Sequence, residues 1–362
     1  MALVMKKLVT ITLLGVAGAT AAENDYYKLI SVPFPKDLKL EISGMATLPE
    51  DRMALAIRKG EIWIAKGLSG GKPVYTKFAS GLHEPLGLAY HKGDLYTVQR
   101  TELTRLRDTD NDGRADEYLT HAKGWGVTGN YHEYAYGPAI DHADNMWVAL
   151  NCSIGKGSNP NNQWRGWSLR VKPDGSWTPI SGGFRSPSGI GTNLVGDVFA
   201  TDQQGNWFPT CPLMHLKRSA FHGHADSLPF TQLPKATFKV DGELPKNLTV
   251  TQAAQRIGAY QLPAVWFPYR KMGMSTTDIL ADSTQGKFGP FAGQLFCGEF
   301  TMSFVSRVFL EKVNGEYQGA CFRFRDGLDC AALRLQWGAD GSMYIGQSNR
   351  GWNSLGTKSY GL

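Results

Sequence analysis

None of the cysteines in this chain falls in a C-x-x-C or C-x-x-C-H pattern. It therefore offers no sequence-evident haem attachment and no ribbon-type zinc site. After Ala22 there is no run of about eighteen apolar residues, so no transmembrane helix is expected. Charged residues are sparse, at 19%, and never gather into runs. The net charge of +6 includes the two lysines Lys6 and Lys7. What remains is too dispersed to predict a nucleic-acid partner.

Turn formers and aromatic rings are what the chain has in quantity. Its 362 residues include 42 Gly, 18 Pro, 10 Trp, 14 Tyr and 17 Phe. That composition suits packed sheets joined by tight turns, in one large all-β domain or two average ones. Met1 to Ala22 reads as a secretory signal peptide. Lys6-Lys7 supply its positive start, Leu8 to Gly18 is apolar but too short to span a bilayer, and Ala19-Thr20-Ala21 is an A-x-A cleavage pattern. The expected location is the periplasm or exterior of a bacterium, with a mature domain over residues 23–362. Export permits disulfides, and Cys321 with Cys330 could close a short loop. The 5 cysteines leave at least one thiol unpaired.

Strand signals bounded by Gly, Pro, Asn and Asp recur at roughly 40 to 50 residues, the spacing of propeller blades. Asp94-Leu95-Tyr96-Thr97-Val98, Asn145-Met146-Trp147-Val148-Ala149 and Gly341-Ser342-Met343-Tyr344-Ile345 repeat one pattern, a turn residue followed by an apolar-aromatic strand. The expected fold is an all-β, six-bladed β-propeller. Blade one is expected to have strands at Leu38–Ile42, Met53–Arg58, Glu61–Lys66 and Val74–Ala79. Blade two follows with Leu86–His91, Asp94–Gln99, Glu102–Arg107 and Glu117–Thr120. The next blades start at Gly137, Ser188, Ser275 and Cys330. From Thr231 to Pro263 the rhythm stops, and Asn247 to Gly258 turns helical in its second half, which predicts an inserted excursion. Blade six lacks a written outer part. It is expected either to be closed by the Tyr26–Pro35 segment or to be truncated.

Gly183 to Trp207 carries the most informative run. It opens on Gly183-Phe184-Arg185-Ser186-Pro187-Ser188-Gly189, a turn-rich segment in which Pro187 and Gly189 exclude a long helix. Arg185 sits on a loop or strand end, where it either ties two loops together or aims its fork at a carboxylate or quinone oxygen. Asp108, Asp110, Asp112 and Asp116 alternate around Gly113, a pattern that wraps a hard cation in oxygen. Leu119 stands where an EF-hand has its bidentate Glu, so the motif reads as a structural Ca2+ hairpin between edge strands, or as a plain acidic turn. His222-x-His224 would put both rings on one face of a strand. That spacing allows a metal site without a third ligand in sequence, or a loop lining the central pocket.

The G-F-R-S-P-S-G element resembles that of the glucose/sorbosone dehydrogenase family, soluble six-bladed propellers that use pyrroloquinoline quinone (PQQ). More closely, the chain resembles the propeller domain of large exported proteins commonly labelled membrane-bound dehydrogenases. The resemblance runs from about Tyr26 to the C-terminus. It implies that His132, before the inner strand of blade three, removes the proton of a sugar hydroxyl while Arg185 polarises the quinone that receives hydride. It implies cofactor contacts at Arg185 and Ser186, with Ser in place of the usual Asn. Gly205 and Asn206 correspond to a Gly-Pro pair whose carbonyls hold a cofactor Ca2+. Phe267-Pro268-Tyr269 corresponds to a Trp-Pro-Thr element that offers an aromatic face. Thr301 stands where the family has a lysine, Arg334 lies one residue off the family's arginines, and His83 and Glu84 stand near its glutamine. A cytochrome c is the implied electron acceptor.

Three readings follow. The first is PQQ-dependent oxidation of a sugar or related alcohol. The second is a non-catalytic propeller that binds glycan or protein, which the missing lysine favours. The third is a Ca2+-dependent hydrolase or lactonase.

Overall fold

The computed structural model of the chain describes residues 23–241, 243–349 and 352–362; the expected signal peptide lies outside them. The described chain is a six-bladed β-propeller in which each blade is an antiparallel meander running from an inner to an outer strand. Blade 1 comprises Ile42–Leu48, Arg52–Ile57, Glu61–Lys66 and Val74–Ala79, and blade 2 Ala89–His91, Asp94–Val98, Glu102–Arg107 and Glu117–Lys123. Blade 3 comprises Ala135–Ile140, Met146–Leu150, Trp167–Val171 and Trp177–Gly182. Blade 4 comprises Gly189–Thr192, Val198–Thr201, Cys211–His215 and Val265–Phe267. Blade 5 comprises Thr276–Ala281, Leu295–Glu299, Phe304–Val313 and Glu316–Arg325. Blade 6 pairs Ala332–Trp337, Met343–Ser348 and Tyr360–Gly361. Beside its last strand the Val32 N–H donates to the Leu362 carbonyl at 2.9 Å, which ties the N-terminal segment to blade 6.

The apolar residues pack between blades. Leu48, Ala54 and Ile62 of blade 1 meet Leu88, Leu95 and Leu106 of blade 2. Phe199, Leu213 and Phe267 of blade 4 meet Ile279, Leu295 and Val308 of blade 5. Each blade thus buries both faces against its neighbours, which is why the strands read as apolar-aromatic runs. The three repeated strand motifs all form second strands, those of blades 2, 3 and 6.

Several boundaries differ from expectation. The first strand of blade 1 begins at Ile42 rather than Leu38, because Leu38 and Leu40 serve as buried packing ahead of it. The excursion lies inside blade 4, between its third and outer strands, and spans residues 216–264. It carries a 3-10 helix, Ala225–Gln232, and an α-helix, Val250–Arg256, opened by a Thr249–Gln252 capping box. Phe238 of this excursion stacks on Trp167 with centroids 4.8 Å apart, so the insertion extends the core of blade 3. All five cysteines are free, including Cys321 and Cys330.

Candidate functional site

Antiparallel order delivers the starts of the inner strands and the ends of the second strands to one face of the ring. Arg185 and Ser186 precede the inner strand of blade 4, and Asp202 to Asn206 follow its second strand. Asp202 is fully buried and accepts three backbone N–H bonds, from Arg185 at 2.8 Å, Ser186 at 2.7 Å and Gln203 at 2.7 Å. Burial outweighs these donors and pushes its carboxyl up to about 6. Asp202 therefore sets the turn that aims Arg185. The Arg185 side chain lies against Gly205, where an added Cβ would come within 2.5 Å of Nε. Nε itself is buried and has no hydrogen-bond partner.

His132 joins Arg185 from the loop ahead of the inner strand of blade 3. It is partly buried, and its ring stands edge-on to Tyr131 with centroids 5.4 Å apart. Burial first, then the nearby charges of Arg185 and Arg100, lower its pKa below 6.5, so the imidazole is neutral near pH 7. Asn206, at φ +56°, places its amide nitrogen 3.2 Å from His224 Nε2. The Gly205 carbonyl accepts the Phe208 N–H at 3.2 Å. Ser186 Oγ accepts from Asn151 Nδ2 at 3.0 Å. Thr301 follows the second strand of blade 5, and its hydroxyl oxygen is buried without a partner, as is Asn151 Oδ1.

Glu84 is committed to protein contacts. It lies between Arg58, whose Nη2 is 3.0 Å away, and Arg100. Burial works to raise its pKa, but hydrogen bonds and charge from Arg100 and Arg58 outweigh it and hold the carboxylate ionised. Both guanidiniums sit over the Tyr134 ring, at 5.2 Å and 4.4 Å from its centroid.

Three expected cofactor contacts lie elsewhere. Phe267 is wholly buried between blades 4 and 5, which leaves no free ring face for a ligand. Tyr269 follows it at the exposed end of the outer strand of blade 4, its ring 5.7 Å from the Arg270 guanidinium. Arg334 crosses the channel at its waist: Nε donates to Ser43 O in blade 1 at 2.8 Å, and Nη1 donates to Ser188 O ahead of blade 4 at 3.0 Å. Its side chain also packs 5.2 Å from the Tyr136 ring of blade 3, so its fork is spent on carbonyls of the scaffold. Beyond this plug the other mouth opens into a cavity of about 460 Å³ lined by Tyr136, His142, Asn193, Arg334 and Trp337. His132 and Arg185 are not part of that lining.

A family model described as "Domain of unknown function (DUF7133)" matches residues 59–323. The chain belongs to this family. No curated protein matches it by sequence. Solved structures share the DUF7133 chain's fold at low identity. One is the PQQ-bound aldose sugar dehydrogenase of Streptomyces coelicolor, 15% identical, with a TM-score of 0.63 over 92% of this chain and 95% of that one. Another is the holo form of the pyranose dehydrogenase PQQ domain of Coprinopsis cinerea, 12% identical, with a TM-score of 0.57 over 84% and 90%. A third is the apo soluble aldose sugar dehydrogenase of Escherichia coli, 12% identical, with a TM-score of 0.54 over 85% and 93%.

The acidic loop of this DUF7133 domain joins the third and outer strands of blade 2. Ligand atoms of Asp108, Asp110 and Asp116 lie within 4.8 Å of one another. Asp112 stands outside that cluster; its Oδ1 accepts the Arg114 N–H at 2.8 Å in a local turn. Asp108 Oδ1 has no partner. A PQQ site is testable against the mouth that holds Arg185. There, an unpartnered Arg185 Nε, a bare Gly205 beside it, a neutral His132 and the unpartnered Thr301 hydroxyl form a donor set that fits a planar, oxygen-rich cofactor. Sequence reasoning missed Asp202, Arg58 and Arg100. Asp202 had one local signal, its place directly after the apolar strand Val198–Thr201; Arg58 and Arg100 had none beyond ending second strands. No helix among the described residues is long and apolar enough to cross a membrane.

Proposed function

We propose that this propeller is a PQQ-dependent oxidoreductase that acts on a hydroxyl of a sugar or related alcohol. The observation that carries this reading is the meeting, at one mouth, of a neutral His132 with an Arg185 whose buried Nε has no protein partner. Buried polar atoms are rarely left unpaired without a ligand, water or ion to receive them. Fold kinship with PQQ-binding sugar dehydrogenases supports the same reading by analogy.

When bound, the quinone supplies a two-electron sink. Arg185, with its backbone pinned by Asp202, would present a fixed positive charge to an oxygen of the bound cofactor. Ser186 and Thr301 offer hydroxyls, and Gly205 makes room for the Arg185 side chain. His132 takes the substrate hydroxyl proton, for which a neutral imidazole is the competent form. The Gly205 and Asn206 carbonyls would hold a cofactor Ca2+, and the Asp108 loop would hold a second, structural Ca2+ at the rim of blade 2. Export to the periplasm and a cytochrome c acceptor complete the proposal.

A glycan-binding, non-catalytic propeller is the second reading. It is favoured by the Arg58–Glu84–Arg100 set, in which both guanidiniums are already engaged by one carboxylate and are not free for a tricarboxylate. Titration of purified protein with PQQ and Ca2+, followed by dye reduction with a panel of sugars and alcohols, separates the two. The first reading expects saturable binding, and turnover that falls by at least about a hundredfold in His132→Gln. No binding and no turnover would overturn it, and a glycan array would then test the second.

A further inference from the structure

Cys152, His224 and Asp226 come from two separate segments. Cys152 follows the second strand of blade 3, whereas His224 and Asp226 open the 3-10 helix of the excursion. One ligand atom from each lies within 4.8 Å of the other two. Cys152 Sγ is 3.9 Å from Asp226 Oδ2. In a tetrahedral site with Zn–S of about 2.3 Å and Zn–O of about 2.1 Å, the sulfur and oxygen lie about 3.6 Å apart. The observed spacing therefore accepts an ion with a few tenths of an ångström of adjustment.

We propose that Cys152, His224 and Asp226 form a binding site for a borderline divalent transition cation of the zinc class, beside the mouth that holds Arg185. Cys152 and His224 are 1% and 2% exposed, and His224 Nδ1 has no partner. Such a buried nitrogen is rarely left without a ligand, water or ion to pair with it. Asn206 lies 3.2 Å from the other ring nitrogen, Nε2. A half-turn of its amide lets Asn206 Oδ1 accept the Nε2 proton, which leaves the Nδ1 lone pair for the ion.

The donor set selects the metal. Thiolate, imidazole and carboxylate together suit a borderline cation rather than Ca2+ or Mg2+, which prefer all-oxygen shells. Two anionic ligands neutralise a dication, so the loaded site adds no net charge next to Arg185. The Cys152 N–H donates to the Arg185 carbonyl at 3.0 Å, so an ion on the thiolate would stiffen the Arg185 turn. Loading breaks the Cys152 S–H bond, forms a metal–sulfur bond and releases that proton to solvent. Three protein ligands leave one position for a water or ligand oxygen. His222 is not among the clustered ligands; it stacks on Phe184 with centroids 4.9 Å apart, because Gly223 at φ +111° turns the backbone between the two histidines.

The test uses the metal alone, on purified full-length mature protein freed of metal with chelator and held in excess Ca2+ to occupy the acidic loop. Co2+ titration is expected to give about one equivalent of binding, with intense tetrahedral bands and a thiolate-to-metal charge-transfer band that Zn2+ displaces. Calorimetry in buffers of different ionisation enthalpy is expected to show about one proton released per ion. Cys152→Ser is expected to lose the charge-transfer band, and His224→Gln to weaken binding by at least about tenfold, with circular dichroism unchanged. No stoichiometric binding by the wild type would overturn the proposal. So would an unchanged charge-transfer band in folded Cys152→Ser.

Discussion

Replacing Asp202 by Asn probes the turn that aims Arg185. The native carboxylate takes N–H bonds from Ser186 and Gln203 on one oxygen and from Arg185 on the other. Asn keeps one carbonyl oxygen, which is best used by the two donors on the first side. The Arg185 N–H then faces an amide N–H2 in a fully buried setting. One orphaned donor costs about 1–3 kcal/mol, and the buried amide hydrogens about as much again, so the loss is about 2–5 kcal/mol. Opposing it is removal of a buried charge. Burial first, partly offset by the N–H donors, moves this carboxyl from 3.8 to about 6 in the folded state. The native carboxyl holds its proton to higher pH than the unfolded one, so raising the pH through this window removes stability from the wild type. Between about pH 5 and pH 7 that loss is about 1 kcal/mol. Asp202→Asn lacks this titration. Urea unfolding followed by tryptophan fluorescence should therefore show the variant about 2–5 kcal/mol less stable near pH 7, where the wild-type group is ionised, with the deficit about 1 kcal/mol larger near pH 5. A deficit under about 1 kcal/mol near pH 7, or one that grows as the pH rises, would refute this role for Asp202.

Three further outcomes can be checked. The His132 pKa is lowered by burial and by Arg185 and Arg100, so the acidic limb of the turnover profile should fall below 6.5, and His132→Gln should cut kcat by roughly a hundred- to ten-thousand-fold; a limb above that value contradicts the assignment. Arg334→Met leaves the carbonyls of Ser43, Ser188 and Leu333 without their donor and should cost about 3–5 kcal/mol in denaturant unfolding, whereas a loss near zero would show that the channel waist needs no plug. Calcium at about a hundredfold excess over Kd should add about 2–3 kcal/mol, and Asp110→Asn should abolish that gain; equal stabilisation of both proteins would dismiss the loop as a calcium site.

The blade architecture was legible because its cause is local. Glu61–Lys66, Val74–Ala79 and Glu102–Arg107 form strands with the bounds read from sequence, since turn residues and apolar alternation mark both ends. Leu38 and Leu40 misled because a buried leucine before a strand looks like the strand itself. The insertion hid its start because residues 216–230 keep blade-like apolar content while packing as a cover on blade 3. The site was legible only in part. Arg185, Ser186, Gly205 and His132 sit on loops whose turn chemistry is written locally. Phe267 and Arg334 went astray because strand position around the ring, not residue type, decides whether a side chain meets the mouth, the core or the waist. The joining of Cys152 to His224 and Asp226 depends on a contact between the blade 3 loop and the excursion, and no spacing in the sequence records it.

A crystal structure of the chain soaked with PQQ and Ca2+ tests the central claim most directly. Cofactor density is expected beside Arg185 and Gly205, within reach of His132. Density in the cavity on the far side of Arg334, or none at either mouth, would contradict it.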